Sequence, residues 1–182
     1  MRIAYVIPGP MHRTELGVAE MERRAGKLRE WAFPGTEVEV VAVDRGPISI
    51  ESVYEEYLSI PAMAERVLAL ERQGYDAAII GCFGDPGLDG LREISNMLVV
   101  GPAASSIALA TTLGHCFSIV TVTRSIIPAL RRLVWEAGAM EALASVRAIE
   151  TPVMELNRHR DAALERMIAE GRRALDDGAD VL

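Results

Sequence analysis

Short apolar, β-branched runs alternate with longer amphipathic segments along this chain, and this alternation restricts its fold more than any other feature. The short runs predict strands at residues 3–7, 37–43, 77–81, 98–101, 117–122 and 145–150. The segments between them carry apolar residues at helical spacing, which predicts helices over 14–32, 51–73, 86–96, 102–113, 125–139 and 155–176. A strand-helix-strand order is typical of an α/β protein with a mainly parallel sheet.

The chain has 182 residues, of which 50% are hydrophobic, and it can bury the core of one domain or of two small lobes. Its formal net charge of -7 argues against a nucleic-acid surface, because such a surface needs clustered Lys and Arg to neutralise phosphates. We therefore expect a small-molecule partner.

The apolar stretches do not predict a membrane span. The longest, residues 97–114, is interrupted by Gly101 and Pro102 and is rich in small polar residues. The chain opens on the strand-like run MRIAYVIP and has two cysteines, which indicates neither a signal peptide nor a disulfide framework. We predict a cytoplasmic protein without a membrane partner.

Ligands of open parallel sheets bind at the carboxyl ends of the strands, so the residues that follow each predicted strand are the candidates for a site. They are Pro8, Gly9, Pro10, Cys82, Phe83, Gly84, Asp85, Ala103, Ser105, Ser106, Thr121 and Thr123.

Cys82 is the candidate with the most reactive side chain. It precedes a glycine-rich turn whose N–H groups would favour a thiolate, whereas Cys116 lies at the opposite, amino end of its strand. The same position also suits a small buried hydrophobic residue, so the sequence leaves both interpretations open. Asp85 is expected to cap the following helix.

Other chemistries lack their motifs. There is no C-x-x-C pair, and no phosphate-binding glycine motif follows a strand. The three histidines, His12, His115 and His159, fall in unrelated segments without metal-ligand spacing. The sequence therefore predicts neither a metal site nor a cofactor.

A short internal repeat links the middle of the chain to its end. GYDAAIIGC at 74–82 and GADVL at 178–182 share a Gly-x-Asp followed by apolar residues. The second copy is too short for a full strand, which predicts a chain that continues beyond residue 182, with a second cysteine near position 186.

Four segments, GPISIESVYEE, GCFGDPGLDGLREI, GPAAS and FSIVTVTRSIIPALRRLV, closely resemble the hydantoin and allantoin racemases. These form a branch of the cofactor-independent aspartate/glutamate racemase superfamily. The resemblance implies two pseudo-symmetric α/β lobes, with the active site in the cleft between them and a catalytic cysteine at a strand end of each. We expect a first lobe over residues 1–100 and a second over 101–182.

By this resemblance, Cys82 is one catalytic thiol, and Pro8, Gly9, Phe83, Gly84, Ser105, Thr121 and Thr123 bind the substrate. The reaction would invert a carbon acid such as C5 of a 5-substituted hydantoin or of allantoin, by thiol and thiolate proton transfer without a cofactor. Here the first-strand loop reads IPGP, where the family commonly has polar side chains. We also expect a homo-oligomer.

Two alternatives stay open. An amino-acid racemase acting on aspartate or glutamate would need polar or cationic groups near the substrate carboxylates, and the apolar IPGP loop speaks against it. A binding protein that has the cleft but not the chemistry would lack the second cysteine.

Overall fold

The computed structural model describes residues 1–15, 17–156 and 158–182. Leu16 and Asn157, which fall inside the helices predicted over 14–32 and 155–176, lie outside the described residues. The chain forms two compact units: residues 1–50 with 54–102, and residues 51–53 with 103–182.

The first unit is a four-stranded parallel sheet with helices between its strands. Its elements in chain order are β1 (Arg2–Ile7), α1 (Gly17–Trp31), β2 (Glu37–Ala42), α2 (Val53–Arg72), β3 (Ala77–Ile80), α3 (Leu88–Ile94) and β4 (Leu98–Val100). The strand order is β2-β1-β3-β4, so the first strand is central and the predicted parallel arrangement is confirmed.

The core of this unit explains why the strands read as nearly continuous apolar runs. Val6, Ile80 and Val99, from β1, β3 and β4, are each almost completely buried, as expected for a sheet covered on both faces. Ala25 of α1 packs in a cluster with Val40 and with other residues of the β1 and β2 region.

The second unit contains a smaller parallel sheet. Its elements are α4 (Pro102–Leu113), β5 (Phe117–Thr121), α5 (Ile127–Glu136), β6 (Leu143–Ala148), α6 (Val153–Leu156) and α7 (Arg160–Asp176). Strands β5 and β6 pair in parallel, and Val181 adds a single parallel bridge to Phe117. Ile107, Phe117, Leu130 and Val134 belong to its buried core.

Two predicted boundaries in this unit differ from the structure. The strand predicted at 145–150 lies at Leu143–Ala148, because Glu150 has a left-handed φ of 51° that ends extended pairing, while a register shift near Phe117 brings Leu143 into the sheet. The helix predicted over 155–176 is two helices, α6 and α7. Among the described residues, no helix is both long and apolar enough to cross a bilayer.

Candidate active site

The carboxyl ends of β1 and β3 lie side by side. Val6 is opposite Ile80, and the Gly81 N–H donates to the Val6 carbonyl oxygen at 2.7 Å. A Cβ on Gly81 would lie 2.7 Å from a ring carbon of Tyr5 and 2.9 Å from that oxygen. Glycine is therefore required for this approach of the strands, which places the loop beginning at Pro8 next to Cys82.

Cys82 opens a tight turn that leads into α3. Its carbonyl oxygen accepts the Asp85 N–H at 3.1 Å, and the Asp85 carbonyl oxygen accepts the Leu88 N–H at 3.1 Å. Asp85 has a positive φ of 47°, which costs strain for a side-chain-bearing residue. The N-cap of α3 is Gly87, not Asp85 as the sequence predicted, and the Asp85 carboxylate instead lies against Gly101.

The electrostatics of Cys82 test a further expectation. Cys82 is partly buried, and burial raises the pKa of its thiol to about 11, with the negative charges of Glu56 and Asp85 acting in the same direction. The Gly84 N–H donates to the sulfur and opposes this shift, but it does not outweigh burial. The turn N–H therefore favours a thiolate, as the sequence predicted, but burial outweighs it and the thiol stays protonated in the absence of a ligand.

The first-strand loop forms an apolar wall at the same edge of the sheet. Pro8, Gly9 and Pro10 are buried, and a Cβ on Gly9 would overlap the carbonyl oxygen of Pro47. This contact fixes the loop after β2 against the loop after β1. Ile48, in the β2 loop, exposes 58% of its surface.

Phe83, directly after Cys82, exposes 41% of its surface. Together with Ile48 it supplies apolar surface on the loops that follow β2 and β3. The structure thus brings Pro8, Gly9, Cys82, Phe83 and Gly84 to one edge of one sheet.

Two residues at this site were not predicted from the sequence. Glu56, whose charge acts on the Cys82 thiol, lies in the first turn of α2 and is 4% exposed. Ile48, which contacts Gly9, lies in the segment that precedes this helix. Both belong to the GPISIESVYEE segment that carries the family resemblance. The burial of Glu56 has no signature in a single sequence, because the adjacent Glu55 is the same residue type and is only partly buried.

The remaining predicted residues lie in the second unit. Thr121 ends β5, and its carbonyl oxygen accepts the Ile149 N–H at 2.9 Å. The Thr123 hydroxyl contacts that of Ser125 at 2.9 Å, and Ser125 in turn donates to the Glu51 carbonyl oxygen at 2.5 Å. Ser105 is exposed in the first turn of α4.

Cys116 lies just before β5, at the amino end of this strand, as predicted. It is partly buried, and its N–H donates to an Asp180 carboxylate oxygen at 3.1 Å. This hydrogen bond links the start of β5 to Asp180, next to Val181, which forms the isolated bridge to Phe117.

A depression of about 590 Å³ lies at the opposite, amino-terminal edge of the first sheet. Its charged groups pair with one another: Arg2 stacks 4.2 Å from the Tyr75 ring centroid and lies 3.6 Å from Glu37, while Tyr75 donates to Glu39. These contacts link the amino-terminal ends of β1, β2 and β3. Within the parts of the chain that the structure describes, no group of three His, Cys, Asp or Glu residues could hold a metal.

Comparison with known proteins agrees with this architecture. The Asp/Glu/Hydantoin racemase family model matches residues 17–182. The hydantoin racemase of a Pseudomonas species is 40% identical over 142 residues, which are 78% of this chain and 57% of that protein. The hydantoin racemase of Paenarthrobacter aurescens is 36% identical, over a match that covers 99% of this chain and 75% of that protein.

A solved structure, the allantoin racemase from Klebsiella pneumoniae, superposes with a TM-score of 0.89 at 32% identity. The match covers 98% of this chain and 71% of the Klebsiella chain. The chain thus spans between 57% and 75% of the lengths of these three relatives.

The chain belongs to the aspartate/glutamate/hydantoin racemase family. Within it, the relatives named above place the chain in the branch of hydantoin and allantoin racemases, and the resemblance read from its motifs is confirmed.

Proposed function

We propose that this protein is a cofactor-independent racemase that inverts C5 of a 5-substituted hydantoin, with Cys82 as one of its proton-transferring groups. The observation that carries the proposal is the position of Cys82 in a member of this family. Cys82 follows β3 at the carboxyl edge of the sheet, where β3 pairs with β1, and its sulfur accepts the Gly84 N–H.

Racemisation needs a proton to leave one face of C5 and a proton to arrive on the other. Two acid–base groups on opposite faces are the simplest device, and the family resemblance implies that the second group is also a cysteine. The C–H bond breaks toward one group, its electron pair is delocalised into the ring carbonyl, and the second group protonates the planar carbanion. N–H donors that hold the carbonyl oxygen lower the barrier, and glycine turns such as 84–87 supply donors of this type.

The surroundings of Cys82 favour a neutral, apolar substituent at C5. Ile48 and Phe83 offer exposed apolar surface, and the Pro8-Gly9-Pro10 loop contains a single backbone N–H because proline has none. An alkyl or aryl group would bury against such surface, whereas the ureido group of allantoin would need several hydrogen-bond partners.

The same features argue against aspartate or glutamate as the substrate. Glu56 and Asp85 are both 4% exposed and both act on the Cys82 sulfur as negative charges. A second substrate carboxylate near them would be repelled in this partly desolvated site.

One observation favours a second candidate, a non-catalytic binding relative. Burial raises the pKa of the Cys82 thiol to about 11, so the thiol is predominantly protonated at neutral pH in the absence of a ligand. A protein that binds hydantoins without inverting them would show the same edge and the same thiol.

A chirality-resolved assay separates the two candidates. The full gene product is incubated with single enantiomers of 5-benzylhydantoin, 5-isobutylhydantoin and allantoin in deuterated buffer, and both optical inversion and deuterium at C5 are followed. We expect inversion with deuterium uptake, fastest for the benzyl and isobutyl compounds, and its loss in Cys82→Ser. Binding without deuterium uptake in the parent protein would identify the non-catalytic relative.

A further inference from the structure

Gly84 lies two residues after Cys82, in the turn that leads into α3. We infer that Gly84 is a specificity-determining residue, because the side chain that it lacks would cover the Cys82 sulfur and hinder a planar ring from reaching it. The catalytic meaning of this inference rests on the proposed function, whereas access to the sulfur can be measured without any turnover.

Other glycines at this edge of the sheet are required by packing or by backbone conformation. A Cβ on Gly9 would lie 2.4 Å from a backbone oxygen, and a Cβ on Gly101 would lie 2.4 Å from a carboxylate oxygen. Gly87 has a positive φ of 72°, in the left-handed region that favours glycine. At these three positions the fold itself explains the absence of a side chain.

Neither reason applies to Gly84. Its φ lies outside the left-handed region in which a side chain is strained. Among the atoms of the described residues, and leaving out its chain neighbours, a Cβ on Gly84 would have one heavy atom within 4 Å: the Cys82 sulfur, at 3.7 Å. This is an ordinary van der Waals distance, so a methyl group would fit there and would lie against the sulfur.

The backbone of Gly84 does not need glycine for its contact with the thiol. The Gly84 N–H donates to the Cys82 sulfur, and any residue except proline has this N–H. Gly84 is buried, whereas the adjacent Phe83 is exposed. A side chain at position 84 would therefore stay in the confined surroundings of the sulfur, and its absence affects the thiol rather than the fold.

Proton transfer explains why this space matters. The reacting atoms, C5 of the ring and the Cys82 sulfur, have to come within about 3–3.5 Å of each other. A Cβ at 3.7 Å would occupy part of the same shell around the sulfur and would displace the ring. A displacement of about 1 Å from the productive position costs about a hundredfold in rate.

The test without turnover is the alkylation rate of Cys82 at one fixed pH, measured by peptide mass spectrometry in a Cys116→Ser background. Two reagents are compared: N-methylmaleimide, which is a five-membered cyclic imide like hydantoin, and the linear iodoacetamide. Gly84→Ala should slow the maleimide at least about tenfold and iodoacetamide less than about threefold, because the ring needs more open space at the sulfur. A change in thiol acidity would instead slow both reagents equally, since the thiolate is the nucleophile in both reactions.

The matched control is Gly90→Ala in α3, where a Cβ would meet no atom of the described residues within 4 Å. It should leave both alkylation rates unchanged. Neither substitution should lower the melting temperature, because alanine restricts the unfolded chain more than glycine does.

Racemisation provides the second readout. In the full gene product, Gly84→Ala should lower kcat/KM for 5-benzylhydantoin by about tenfold to a hundredfold, whereas Gly90→Ala should not change it. Gly84→Ser, with a side chain of similar size, should behave as Gly84→Ala does.

Three results would overturn the inference: alkylation of Gly84→Ala at the parent rate, equal slowing of both reagents, or unfolding of both Gly84 variants, which would make the requirement for glycine structural. None of them bears on whether the gene product racemises hydantoins. Conversely, a parent protein that does not racemise hydantoins, together with the expected change in alkylation, would overturn the proposed function and leave the role of Gly84 at the sulfur intact.

Discussion

The turn from α2 into β3 and the turn that follows α7 use the same backbone hydrogen bonds in the two units. Gly74 and Gly178 both have positive φ, 77° and 100°. Two residues later, Asp76 donates its N–H to the Arg2 carbonyl oxygen at 2.9 Å, and Asp180 donates to that of Cys116 at 2.8 Å. The Asp76 carboxylate accepts the Arg2 N–H at 2.7 Å, and the Asp180 carboxylate accepts the Cys116 N–H at 3.1 Å.

The correspondence extends to the strands but not to the residues that follow them. The Ile7 carbonyl oxygen accepts the Val43 N–H at 3.1 Å, and the Thr121 carbonyl oxygen accepts that of Ile149 at 2.9 Å. Beyond these equivalent points the first unit continues with the buried Pro8-Gly9-Pro10 loop, and the second with the partly exposed residues 122–123. The two units thus share the backbone hydrogen bonds of their strands and turns. They differ in the residues that follow the strands, which are buried in the first unit and partly exposed in the second.

The largest effect is expected from Gly81→Ala. The new Cβ would lie within 3.1 Å of Tyr5, Val6 and Ile7 in the central strand pair, which cannot move apart without losing ladder bonds. We expect a loss of about 3 kcal/mol of unfolding free energy, measured by urea denaturation. Gly26→Ala in α1, where the Cβ meets open space, should instead stabilise by about 0.5–1 kcal/mol.

A direct test of the difference between the units replaces equivalent positions in the two loops. Gly9→Ala would press a Cβ against the Pro47 carbonyl oxygen, and we expect a loss of about 2 kcal/mol. Thr123→Ala removes only a hydroxyl contact with Ser125 and should cost less than about 0.5 kcal/mol. Equal losses in urea titrations would contradict the claim that only the first loop is tightly packed.

The similarity of the two turns is tested by Gly74→Ala and Gly178→Ala. At both positions the Cβ has space, so the cost is the left-handed backbone alone, about 1 kcal/mol in each case. Thermal unfolding should show two similar decreases in stability. A decrease at only one position would show that the turns share a shape without sharing a conformational requirement.

The smallest effect concerns pH. The N–H groups of His115 and Cys116 lower the pKa of Asp180 below its usual value of 3.8. A carboxyl whose pKa is lowered by folding stabilises the protein above its unfolded pKa and loses this contribution as the pH falls through the folded pKa. Asp180→Asn should therefore lower the melting temperature slightly near neutral pH. The difference should shrink as the pH falls below the usual carboxyl pKa and through the lowered pKa of Asp180; a difference that stays constant down to acid pH would rule out the carboxylate charge as its cause.

The sequence predicts the scaffold well because the relevant signals are local. Apolar runs locate the six strands of the described residues, and Gly74 and Gly178 each mark the end of a helix. The boundary of β6 was missed because the left-handed backbone of Glu150 has no residue-type signal, glutamate being rare in that conformation.

The electrostatics of the site depend on distant segments and were not predictable in the same way. The position of Cys82 follows from the strand pattern, but its raised pKa depends on burial and on Glu56, which lies 26 positions earlier in the chain. Nothing in the local sequence around either residue states that they are neighbours. The sequence therefore predicts the position of the Cys82 thiol but not its raised pKa.

The glycines at the carboxyl edge of the first sheet also restrict which positions of the site can accept substitutions. At Gly9, Gly81 and Gly101 a Cβ would meet backbone or carboxylate atoms, so substitutions at these positions should destabilise the fold. Ile48 and Phe83 face solvent on flanking loops and can change without disturbing the sheet. Divergence in substrate range, in nature or in a directed-evolution experiment, should thus accumulate at these two apolar positions while the edge beneath them stays constant.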